Sequence, residues 1–211
     1  MSSGSNKRRT LGRMAVASGL IGALVGILAL AYPPAVNDQT WSYPFPFGVA
    51  AVVSVVLAGA HALTGAGYQG VRLADTHGGS RVADVALRVA IVGFVLLAAA
   101  ELASGVIGRQ SDESAAAGVV GGLFGVASLL VGFGSIVAGV TSARSGASEP
   151  AAWWSLVAAG VILLLVVTPA QIADSFEVAT IALTIWSLAF IPLGRAVIGA
   201  GGLTRGHGRP T

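Results

Sequence analysis

The chain has 211 residues, of which 55% are hydrophobic and only 10% charged. A soluble domain carries about 25% charged residues, so this composition excludes a water-soluble globule and points to a bilayer as the solvent. The chain has no cysteine, which excludes disulfides, thiolate metal sites and cysteine nucleophiles. Its formal charge of +3 rests on basic residues at helix ends rather than on a patch for nucleic acid.

Charges avoid long stretches of the chain. Runs of ~20 apolar residues match a hydrocarbon core of ~30 Å, and without water each run must satisfy its own backbone hydrogen bonds as helix. The fold class is therefore all-α: an integral membrane bundle of six transmembrane helices, arranged as three hairpins.

Residues 1–12 read as a disordered, basic cytoplasmic tail with Lys7, Arg8 and Arg9. The transmembrane domain spans 13–198. Helix 1 covers about Arg13 to Tyr32 and stops at Pro33-Pro34. Its start resembles a signal peptide, with Ala29-Leu30-Ala31 as an A-x-A site. The apolar run exceeds a usual h-region and the prolines crowd the cleavage point, so the helix is expected to be retained. A loop with Asp38, Trp41, Tyr43, Pro44 and Pro46 leads to helix 2, about Phe47 to Tyr68. His77-Gly78-Gly79 makes a turn before helix 3, about Val82 to Ile107, where Asp84 and Arg88 form an i,i+4 pair. Helix 4 covers about Ala115 to Ala143, and helix 5 about Ala151 to Thr168, ending at Pro169. Helix 6 covers about Val178 to Ile198, and 199–211 is a Gly- and Arg-containing cytoplasmic tail.

Basic residues orient the spans. With the N-terminus inside, the inner segments collect Lys7, Arg8, Arg9, Arg13, Arg72, Arg81, Arg88, Arg144, Arg195, Arg205 and Arg209, and the outer segments Arg109 alone. Both termini are thus expected in the cytoplasm. Asp38, Asp112, Glu113, Asp174 and Glu177 fall outside. Tyr32, Trp41, Tyr43, Phe45 and Phe47 mark the outer interface, and Trp153, Trp154 and Tyr68 the inner one. Arg outnumbers Lys eleven to one beside abundant Ala, Gly and Val, the usage of a high-GC bacterium, which places the chain in a bacterial plasma membrane.

Small residues at four-residue spacing allow close helix approach. They occur as Ser18, Gly22 and Gly26 in helix 1 and as Ala50, Ser54, Ala58, Ala62 and Ala66 in helix 2. In helix 4 they are Gly118 with Gly122, Gly121 with Gly125, and Ser135 with Gly139. Packing inside the bundle is their first reading and an oligomer face the second. Pro192 removes the bond to the carbonyl of Leu188 and is a candidate kink in helix 6.

Two ionisable groups lie at membrane depth, where they are costly and by default functional candidates. His61 lies two-thirds along helix 2, and Glu101 six residues before Ile107, about 9 Å from the helix end. Both border small residues and are expected to face the bundle. His61 lies nearer the inner side and Glu101 nearer the outer, so direct contact between them is not expected. His61, His77 and His207 are too scattered for a metal site, and the sequence has no H-E-x-x-H, no G-x-S-x-G and no phosphate loop after a strand. The loops are too short to hold an enzyme domain, so no catalytic residue, metal or other cofactor is assigned. The expected partners are the lipid bilayer and either another membrane protein or a second copy of the chain, with no nucleic acid.

Gly22-x-x-x-Gly26 followed by Pro33, and Trp154 with Gly160 followed by Pro169, resemble the HdeD-type membrane proteins and small multi-pass proteins of high-GC Gram-positive bacteria. The HdeD resemblance implies six helices in three hairpins and an association with acid resistance. Helix 3 lacks the terminal proline of that pattern, and no functional residue is carried over.

The leading functional reading is a non-enzymatic envelope scaffold or accessory subunit. The alternative is a small transporter or channel for protons or a small solute, using His61 and Glu101.

Overall fold

The structure, a computed structural model, describes residues 3–74, 78–147, 149–173 and 175–200. His77, Asp174 and the tail carrying Arg205, His207 and Arg209 lie outside them. Among the described residues the chain is helical, with a lone β-bridge between Thr40 and Ser111. Helices α1 (Ser3–Ala31), α2 (Phe47–Leu73), α3 (Arg81–Ile107) and α4 (Ala115–Arg144) are unbroken. The fifth stretch is α5 (Pro150–Ile162), a π-helical turn (Leu163–Val167) and α6 (Thr168–Ile172), and the sixth is α7 (Phe176–Leu188) with α8 (Phe190–Ala200). All six stretches are long and apolar enough to cross a membrane, consistent with a multi-pass membrane protein.

Some boundaries differ from the sequence reading. Residues 3–12 are helical rather than disordered. Lys and Arg are good helix formers, and a helix already nucleated grows by one hydrogen bond per residue fixed. The extension also packs, since a Cβ on Gly70 would sit 3.0 Å from Leu11 and one on Gly12 2.8 Å from Ile198. Pro169 does not end the fifth stretch. The π turn before it widens the helix, with the Thr168 amide and hydroxyl both directed at the Leu163 carbonyl, and helix resumes to Ile172. A π-bulge of this kind accommodates the missing proline N–H. The sixth stretch breaks at Ala189, three residues before Pro192.

Consecutive stretches run antiparallel and close into a ring, in which α1 packs against α2 on one side and α7 and α8 on the other, while α5 packs against α4 and α8. Glycine sets most of these seams. A Cβ on Gly19 would meet the Ser187 carbonyl at 2.8 Å, on Gly93 the Ala127 carbonyl at 2.9 Å, on Gly134 the Ala86 carbonyl at 2.8 Å, and on Gly139 the Trp153 carbonyl at 2.7 Å. The i+4 stripe on α2 holds for Ala50, Ser54 and Ala58, which are buried, and fails at the exposed Ala62. A four-residue repeat overshoots the 3.6-residue turn and drifts off its face.

Within the ring, Tyr68, Leu87, Phe94, Trp186, Phe190, Leu193 and Val197 form the packed core. Tyr68 is wholly buried rather than interfacial. Its hydroxyl and that of Ser135 lie 2.7 Å apart in a hydrogen bond, and α2 continues beyond it to Leu73. At the arginine-rich end, Asp84 takes both Arg88, at 2.9 Å, and Arg72 of the neighbouring helix, at 2.7 Å.

Candidate functional site

The hairpin of α2 and α3 brings together the two candidate residues, His61 and Glu101. His61 Nε2 lies 3.4 Å from Glu101 Oε1, which corrects the expectation that they stay apart. The reason lies in side-chain direction. Gly65 packs against Phe94 and Gly105 against Ser54. This register puts Ala98 opposite His61, one turn short of Glu101. Each Cα–Cβ bond tilts toward its own helix N-terminus. In an antiparallel pair those tilts oppose: His61 leans toward the Trp41 end and Glu101 toward the arginine-rich end. Two long side chains leaning toward each other close a gap that backbone levels alone leave open.

Both side chains face the bundle, as expected from their small neighbours, and retain 12% and 14% of their exposure. The His61 ring lies 6.1 Å from that of Trp186 and 6.5 Å from that of Phe94. Trp186 stacks on Phe94 at 6.2 Å and donates its indole N–H to the Ala159 carbonyl at 3.0 Å. Tyr68 and Phe190 continue this aromatic column toward the arginine-rich end, at 4.9 Å and 5.8 Å from Phe94. The His61–Glu101 pair therefore rests on a packed apolar plug.

On the other side, the segment 32–46 folds over the α2–α3 hairpin. The Trp41 amide donates to the Gln110 carbonyl at 3.0 Å, Ser42 to Gly108 at 3.2 Å, and Asp112 back to Gln39 at 3.0 Å. The Trp41 indole donates to Ser104 Oγ at 2.7 Å, one turn beyond Glu101 on α3. Arg109 sits 4.4 Å from the centre of the Phe47 ring, a cation–π contact that anchors this end of α2.

Chemically, the pair is an ion pair when His61 is protonated. At 3.4 Å it lies outside the 2.7–3.2 Å range of a hydrogen bond. A carboxylate facing an imidazole can hold and pass a proton. Among the described residues no three His, Cys, Asp or Glu side chains gather as a metal site. Pro192 is exposed on α8 and takes no part in the site.

Sequence reasoning missed Trp186 and Phe94 as neighbours of His61. One signal was present: a tryptophan in mid-span rather than at an interface needs a partner for its N–H. Two apolar grooves lie on the outer surface of the ring, one between α3 and α4 and one between α6 and α7, and neither includes His61 or Glu101. In comparisons with known protein families, curated proteins and solved structures, the chain matches none.

Proposed function

We propose that the protein is a non-enzymatic membrane scaffold or accessory subunit that works by helix association, with a second copy of the chain docked on the first half of α4. The carrying observation is the environment of Gly118, Gly121, Gly122 and Gly125. A Cβ on any of them would meet nothing within 4 Å, whereas Gly132, Gly134 and Gly139 further along α4 are closely packed. Glycine inside a helix costs about 1 kcal/mol relative to alanine, and elsewhere in α4 close packing offsets that cost. Here the described residues supply no such packing. The four glycines share one face at i, i+3, i+4 and i+7, flanked by the exposed Val119, Val126 and Leu129. Depressions beside projecting side chains suit a GxxxG crossing. Copies in one membrane share an orientation, so α4 meets α4 in parallel about a two-fold axis, a self-complementary contact.

A cysteine-free chain makes the test direct. Val119→Cys is expected to cross-link into a homodimer in native membranes, and adding Gly122→Leu to abolish the cross-link. A monomer under all conditions overturns the reading. Cross-links to a different polypeptide overturn the choice of occupant.

The approach of His61 to Glu101 favours a second reading, a small transporter or channel for protons or a small solute. It ranks second because the aromatic plug closes the pair off from the arginine-rich end. Reconstituted in vesicles with a pH gradient, such a protein carries a proton flux that His61→Ala and Glu101→Ala each reduce at least tenfold, about 1.4 kcal/mol of barrier. Flux equal to that of empty vesicles removes this reading.

A further inference from the structure

We infer that the groove between α3 and α4 at the arginine-rich end binds one anionic phospholipid, its phosphate at Arg81 and an acyl chain along the groove.

The floor of the groove is a consequence of close packing. A Cβ on Gly134 would lie 2.8 Å from the Ala86 carbonyl and 3.0 Å from the Ala90 side chain, so α3 and α4 nearly touch along a seam of small residues. Larger residues rise on either side of that seam: Val82, Val85 and Val89 from α3, Phe133 and Val137 from α4. All five are exposed on the outer surface of the ring, the face that meets lipid in a multi-pass protein. The result is an apolar trough of about 460 Å³, within the size range of small-ligand sites.

Charge complementarity selects the occupant. Arg81 lines the groove at one end and opens α3. It takes part in none of the ion pairs found among the described residues. The neighbouring carboxylate, Asp84, is already held by Arg72 and Arg88. From residue 72 to residue 88 three arginines, Arg72, Arg81 and Arg88, stand against two aspartates, Asp75 and Asp84, so this stretch carries a net positive charge. The Ser80 cap takes the amides of Ala83 and Asp84, which leaves the amides of Arg81 and Val82 at the positive end of a 27-residue helix, favourable for an anion. A cation at headgroup depth above an apolar trough fits a lipid that carries phosphate and hydrocarbon together. The groove between α6 and α7 is as apolar but has no cation in its lining, so nothing there selects a headgroup.

The test uses the full chain in mild detergent, with bound lipid counted by native mass spectrometry after addition of phosphatidylglycerol or phosphatidylcholine. Wild type is expected to retain one phosphatidylglycerol about fivefold more strongly than phosphatidylcholine, the effect of one basic residue near a headgroup. Arg81→Gln should bring the ratio to about one. Arg195→Gln, which changes an exposed arginine of α8 outside the groove, should leave it unchanged. Val85→Trp, which fills the trough, should lower retention of both lipids, and dihexanoyl phosphatidylglycerol should bind less well than the long-chain lipid. Equal retention of the two lipids by wild type, or an unchanged ratio in Arg81→Gln, overturns the inference. Binding of the short-chain lipid equal to that of the long-chain one also overturns it, because the trough then contributes nothing.

Discussion

Tyr68 shows at the scale of one residue how the bundle keeps a polar group in its core. Its ring packs on Phe94 at 4.9 Å, and its hydroxyl and that of Ser135 satisfy each other. Tyr68→Phe leaves the ring and removes the bond. Interhelical hydrogen bonds of this kind contribute about 0.6 kcal/mol in membrane proteins, so a loss of that order is expected in denaturant titration of the detergent-solubilised protein. Tyr68→Phe combined with Ser135→Ala should cost less than the two single changes added together, since only one bond exists to lose. Strict additivity would show that the two hydroxyls are not coupled. His61 and Glu101 were legible as candidates from their depth alone. Their contact was not, because it depends on opposed Cα–Cβ directions across a helix pair.

At the scale of the element, α4 carries two environments on one helix. The half containing Gly132, Gly134 and Gly139 is built into seams with α3 and α5, while the half containing Gly118, Gly121, Gly122 and Gly125 faces open space. Sequence alone sees the same four-residue spacing in both halves, so it names intramolecular packing and an oligomer face without dividing them along the helix. The division has a mechanical cause. The partner span follows α4 closely as α5, with Gly160 against the Gly132 carbonyl. Beyond the π turn its continuation, α6, packs against α7. One π turn near Pro169 thus accompanies the exposure of a glycine face on the neighbouring helix. The same proline rules give opposite outcomes at the two interrupted spans: Pro192 divides a helix at Ala189, whereas Pro169 is absorbed.

For the whole molecule, six antiparallel stretches place both described chain ends at the end that carries Arg13, Arg72, Arg81, Arg88, Arg144 and Arg195. The excess of basic residues there predicts that this end is cytoplasmic. A reporter active only in the cytoplasm, fused after Thr211, should be active, and one active only outside should be silent. The reverse pattern would invert the topology and move the Arg81 lipid site to the other leaflet. Helix count and helix class followed from the sequence, because hydrophobic run length and the need to satisfy the backbone in hydrocarbon are properties of a one-dimensional string. The ring closure of α1 on α7 and α8, the interhelical register that joins His61 to Glu101, the burial of Tyr68 and the split of α4 were decided only in three dimensions. Each depends on which of several equally small faces another helix covers, and that choice is made by all six helices packing at once.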